Sequence, residues 1–181
     1  PPPATTSMDP CDLMPNAELE LLVDSRVSAA KPGLTSGVAN CQWEADNGQF
    51  VQVVAISASD WAMSLPETMR ALEASDLMPD GEALTKLREG NALIAAGKDL
   101  APARICSLFS QLAELQGAPP GSPLVITIIP SEEAPQAVSG QMCSGGHFTS
   151  VLVGSVDGLS EPLPTAEVFS ALETVHRRVL G

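Results

Sequence analysis

A chain of 181 residues is long enough for one domain with a real core, or for two very small ones. Its hydrophobic fraction is 44%, which suits a folded globular protein, but only 3% is aromatic and Tyr is absent, so the core is built from Val, Leu, Ile and Ala and base-stacking platforms are excluded. Nine basic residues against 22 acidic ones give a net charge of -13, a field that repels phosphate backbones and anionic headgroups, so nucleic acid is not an expected partner.

No apolar run reaches the roughly 18 residues of a membrane-spanning helix, and the chain reads as a trimmed mature form with its signal peptide removed. Residues 1–8, "PPPATTSM", have nothing to bury and are expected to form a disordered tether. Asp9-Pro10 stiffens the chain that follows, and Cys11 is placed to pin the first ordered turn.

Pro15 fits the first turn of a helix with Leu13, Ala17 and Leu21 on its apolar side. Val38–Ala45 and Gln49–Ser57 flank "DNG", a hairpin signal because Asn-Gly takes positive-φ turns. "SLPETMRALEAS" predicts a helix capped by its first Ser, with Leu65, Met69 and Leu72 on one face. Between Pro79 and Gly97 the pattern is mixed, and Leu93-Ile94-Ala95-Ala96 reads as a candidate strand.

Ile105, Leu108, Phe109, Leu112 and Leu115 form a helical stripe ending at Gly117, broken by "GAPPGSP". "LVITIIPS" reads as a buried strand, and "HFTSVLVGSV" as an alternating one. Thr165 is expected to cap a last helix with Val168, Leu172, Val175 and Val179 on one face, and Arg177 and Arg178 complementing the dipole of its final turn. The fold class expected is α+β, an antiparallel sheet packed against helices.

The cysteines are Cys11, Cys41, Cys106 and Cys143, with no Cys-x-x-Cys pair and no His at metal-ligand spacing, so disulfides are favoured over a metal site. Spacing alone leaves three pairings open. An internal comparison chooses among them. "CDLMPNAELELL" after Cys11 parallels "CSLFSQLAELQG" after Cys106, and Cys41 and Cys143 each lead through a Gly-containing turn into a Phe-led strand. The pairing expected is therefore local, Cys11 with Cys41 and Cys106 with Cys143, within one domain over 9–181 made of two related helix-plus-hairpin halves at about 9–78 and 102–181. Such bridges imply an oxidising, extracytoplasmic compartment.

Asp9, Pro10, Cys11, Cys41 and Trp43, as "DPCDLM" and "CQW" behind a Pro/Thr/Ser tether, resemble the actinobacterial lipoprotein family known as domain of unknown function 3558. The resemblance runs over most of the chain and implies a lipid anchor at the mature N-terminus, but carries no activity. In size, compartment and two intrachain disulfides the chain is also similar to extracellular sensor domains of mycobacterial serine/threonine kinases.

Candidate catalytic groups are sparse. The histidines are His147, at the start of a strand, and His176, in the last helix, and both read as satisfied or exposed side chains rather than bases. Gly-x-Ser-x-Gly, phosphate-loop and His-Glu-x-x-His motifs are missing. Glu44, Asp46 and Asn47 lack the oxygens of a calcium loop and read as a turn. Trp43 is expected to pack on the Cys41 bridge or to stack on a ligand. No catalytic, metal or cofactor site is assigned.

The function expected is a non-enzymatic, lipid-anchored envelope protein, monomeric, that binds or senses a protein or an apolar or glycolipid ligand in a groove between sheet and helices. One alternative is a secreted glycan hydrolase working through two carboxylates. Another is an inhibitor or regulatory subunit that presents the "GAPPGSP" loop to its partner.

Overall fold

The structure, a computed structural model, describes residues 9–35, 37–75 and 78–181; the expected tether at 1–8 lies outside them. Asp9 accepts a hydrogen bond from the Cys11 amide (2.9 Å) and caps a 3-10 turn over Pro10–Asp12. Then follow α1 (Asn16–Val23), β1 (Lys31–Thr35), β2 (Val38–Glu44), β3 (Gln49–Ser57), α2 (Ala58–Ala62), α3 (Leu65–Ala74) and α4 (Glu82–Ala95). The chain continues with α5 (Pro102–Leu115), β4 (Leu124–Ile129), β5 (Ala137–Ser144), β6 (His147–Ser155) and α6 (Thr165–Leu180). The strands make one six-stranded antiparallel sheet in the order β1-β2-β3-β6-β5-β4, the α+β architecture expected. Each run of three strands is a meander, and the two meet through their last strands.

The disulfides are Cys11–Cys41 and Cys106–Cys143, the local pairing expected. Each ties a helical residue to the middle strand of a meander. The cysteines differ in setting, however: Cys11 sits on the 3-10 turn before α1, whereas Cys106 lies inside α5.

By its internal contacts the chain divides into two compact units, residues 9–56, 126–140 and 149–181 forming one, and 57–125 with 141–148 the other. In the first, Leu13, Leu19, Trp43, Val51, Val53, Val151, Val153 and Leu172 are buried. Gly140 lets α6 close on the sheet, since a Cβ there would lie 3.0–3.1 Å from Ile126, Val168 and Leu172. Gly154 lies under the Phe50 ring, where a Cβ would come within 2.6 Å of it. Asn47 shapes the β2–β3 turn differently from expectation. Gly48 takes the positive φ (85°) while Asn47 does not, and Asn47 acts through its side chain, donating to the Val23 carbonyl (2.9 Å) and so tying the turn to α1.

In the second unit, Trp61, Phe109 and Phe148 form a cluster with ring centroids 5.6–5.9 Å apart. Leu65, Met69, Leu84, Leu87 and Leu108 complete the core.

Several expectations are corrected. Leu21 and Ala17 are not the buried side of α1: Leu21 is 81% exposed, and Leu19, Leu22 and Val23 face inward, because the face follows the 3.6-residue turn from Leu19 rather than a strict fourfold step. Leu93–Ala96 is no strand, since the helix α4 runs on to Ala95; Leu84, Leu87 and Gly90 make a helical face, and the helix is closed only at Gly97, which takes a positive φ (78°). The strand in "LVITIIPS" is β4, an outer strand with only Val125 buried. Ser64 holds the N-cap position of α3 as expected but makes no side-chain capping bond; its hydroxyl donates to the Trp61 carbonyl (2.7 Å) instead. Thr165 is the first residue of α6, and Pro164 holds the cap position without a side-chain hydrogen bond.

Candidate functional site

A groove of about 530 Å³ lies between α1 and α6 in the first unit. Its walls follow from the local sequence. On α1, Leu19 and Leu22 turn toward the core, which leaves Leu21 and Glu18 on the groove side with Met14 at the base. On α6, Val168, Leu172 and Val175 are buried, and the neighbouring row reads Ala166, Ser170, Ala171 and Thr174. Those side chains are too small to fill the space that Leu or Phe would occupy. The result is an open, largely apolar trough with Glu167 at its lip.

One end of this arrangement is fixed by charge. Arg178 Nη1 donates to the Leu13 carbonyl (2.7 Å) and to Glu18 Oε2 (2.7 Å), and Nη2 donates to Glu18 Oε1 (2.5 Å). These hydrogen bonds hold the Glu18 carboxyl below its usual value and lift the Arg178 guanidinium above its own. Glu167 has no ion pair among the described residues.

A second depression, about 500 Å³ in the other unit, lies along α4, α5 and the Pro120–Gly121 bend and contains two carboxylates, Glu82 and Glu114. Glu82 is bonded to Lys86 (2.8 Å), which lowers its pKa. A glycosidic general acid needs the opposite shift. The amide oxygen of Gln111 is buried and unpaired here, but it is sealed from solvent and out of reach of a ligand.

The residues singled out in the sequence are scattered. Trp43 is 1% exposed, so its ring packs and offers no face to a ligand. His176 is 2% exposed with Nδ1 2.8 Å from the Thr149 hydroxyl, itself fully buried, so no substrate reaches that pair. His147 is half-buried at the start of β6. Glu44 pairs with Lys31 (3.1 Å) instead of meeting Asp46 and Asn47 around an ion. No group of three or more His, Cys, Asp or Glu converges as a metal site among the described residues, and no helix among them is long and apolar enough to cross a membrane.

This groove lies between two helices rather than between sheet and helices as expected, and a signal for it exists in the sequence. Ala166, Ser170, Ala171 and Thr174 form a row of small residues beside the Val168-Leu172-Val175 stripe, and such a row leaves a furrow wherever a second helix runs alongside. Likewise Ser57 followed by Asp60 is a capping signature that marks α2: the Ser57 hydroxyl accepts from the Asp60 amide (3.0 Å).

No family model matches the chain, and no curated protein or solved structure matches it. The two disulfides fit an oxidising, extracellular setting.

Proposed function

We propose that this is a lipid-anchored protein of the cell envelope that binds, without chemistry of its own, a protein or an apolar or glycolipid ligand in the groove between α1 and α6. The groove itself carries the reading. It has an apolar base of Met14 and Leu22, an exposed apolar wall at Leu21, and a size within the range of small-ligand and peptide sites. The disulfides support the compartment, and the Asp9-Pro10-Cys11 and Cys41-x-Trp43 motifs support the lipoprotein resemblance.

Native mass spectrometry of the protein gently extracted from a producing cell tests it. A bound ligand or partner is expected on the natural protein and should be lost on Ser170→Trp, which fills the groove. Recovery of the natural protein bare, or of Ser170→Trp still loaded, would overturn the reading.

A further inference from the structure

Resting on that reading of the groove, we infer that its occupant is a basic amphipathic helix of a partner protein, not a lipid chain. Three observations converge on this.

The first is shape. The α6 residues along the groove run from Ala166 to Thr174, which at the helical rise is about 12 Å, or roughly two turns. The trough is open along one side, as a helix-binding groove is, with room for apolar anchors at i, i+3 or i+4, and i+7. An acyl chain is held by enclosing walls that remove most of its surface from water.

The second is charge. Of the two carboxylates that line the groove, Glu18 is bonded to Arg178 and Glu167 carries no ion pair among the described residues. Arg178 is consumed by Glu18 and Leu13 and cannot offset Glu167. With a chain charge of -13 behind it, this acidic lip repels anionic headgroups and attracts Lys and Arg.

The third is preorganisation. The Glu18–Arg178 bonds fix one wall of the groove before any ligand arrives, and Leu21 already stands in water at 81% exposure, so docking needs little rearrangement.

The probe is a synthetic 15-residue helical peptide with Leu at i, i+3, i+4 and i+7 and Lys on its flanks, compared with twins in which Gln or Glu replaces Lys. Binding is followed by fluorescence anisotropy and mapped by amide chemical shifts. The Lys peptide should bind with shifts confined to α1 and α6, weaken with added salt, and lose about fivefold in affinity on Glu167→Lys. Ser170→Trp should abolish the shifts; if that variant fails to fold, Leu21→Asp serves in its place. Equal binding of the Glu twin, or shifts elsewhere on the surface, overturns the inference. If the Gln twin binds the groove as tightly as the Lys peptide, the charge argument fails while the binding reading stands. If no peptide binds but a fluorescent fatty acid or phosphatidylglycerol vesicles do, the occupant is a lipid; if nothing binds, both readings fall.

Discussion

Glu18 and Arg178, 160 residues apart in the chain, are joined by two parallel hydrogen bonds of 2.7 and 2.5 Å. This fork-to-fork geometry is the strongest form of ion pair, and here it ties the helix that follows the first cysteine to the end of the last helix. Both side chains remain more than a third exposed (36% and 37%), so solvent screening limits its contribution to under about 1 kcal/mol.

The pH dependence follows from the direction of the shift. Glu18 is lowered from the ordinary value of 4.5, so its stabilisation is fully present above that value and is lost as the pH falls through the folded-state pKa. Urea unfolding of the natural protein and Glu18→Gln should differ at pH 7 and converge as the pH falls below 4.5 and through the lowered folded-state value. A gap that stays constant across the whole acid range would show that Glu18 acts through packing rather than charge. Arg178→Ala should cost more than Glu18→Gln at pH 7, because the Leu13 carbonyl also loses its donor.

Gly90 tests how tightly α4 meets α5. In an exposed helix interior, Gly→Ala gains about 1 kcal/mol. At Gly90 a new Cβ would run into both methyls of Leu108, which is buried at 3% exposure and has little freedom to swing aside. Overpacking costs about 1–3 kcal/mol, so Gly90→Ala should be net destabilising. Thermal unfolding of Gly90→Ala, of Leu108→Ala and of the double variant checks this: Leu108→Ala should cost less when combined with Gly90→Ala than alone. A higher melting temperature for Gly90→Ala would mean that Leu108 yields freely.

Patterned positions were legible in the sequence and context-set ones were not. The stripe Ile105-Leu108-Phe109-Leu112 and the strand 49–57 stand at the predicted places, because a buried face must repeat with the period of its element. The strand β1, "KPGLT", was invisible: Lys, Pro and Gly are poor strand residues, all five positions are exposed, and only pairing with β2 makes it a strand. Its Lys31 and Pro32 are the residues that protect an outer strand from further pairing. The groove was hidden for a related reason. Glu18, Ser170 and Thr174 are ordinary surface residues until two helices distant in the chain are brought side by side.

The two disulfides give the last prediction, that each stabilises its own unit and that their contributions add. Cys11–Cys41 lies within the first unit and Cys106–Cys143 within the second, with sequence separations of 30 and 37. Loops of that length restrict the unfolded chain by about 3–4 kcal/mol each in the entropy model. Cys41, Cys106 and Cys143 are buried and Cys11 is half-buried, so replacement by Ala adds a small packing loss at each site. The two loops neither overlap in the chain nor share a residue, so closing one leaves the other's entropy cost unchanged. Urea unfolding of Cys11→Ala/Cys41→Ala, of Cys106→Ala/Cys143→Ala and of the fourfold variant should therefore give losses of about 3–4 kcal/mol for each bridge and their sum for both. A fourfold loss that departs from the sum by more than about 1 kcal/mol would show that the two bridges are energetically coupled. Non-reducing peptide mapping fixes the connectivity independently: a crosslink from Cys11 to Cys143 would end both the local pairing and the case for two related halves.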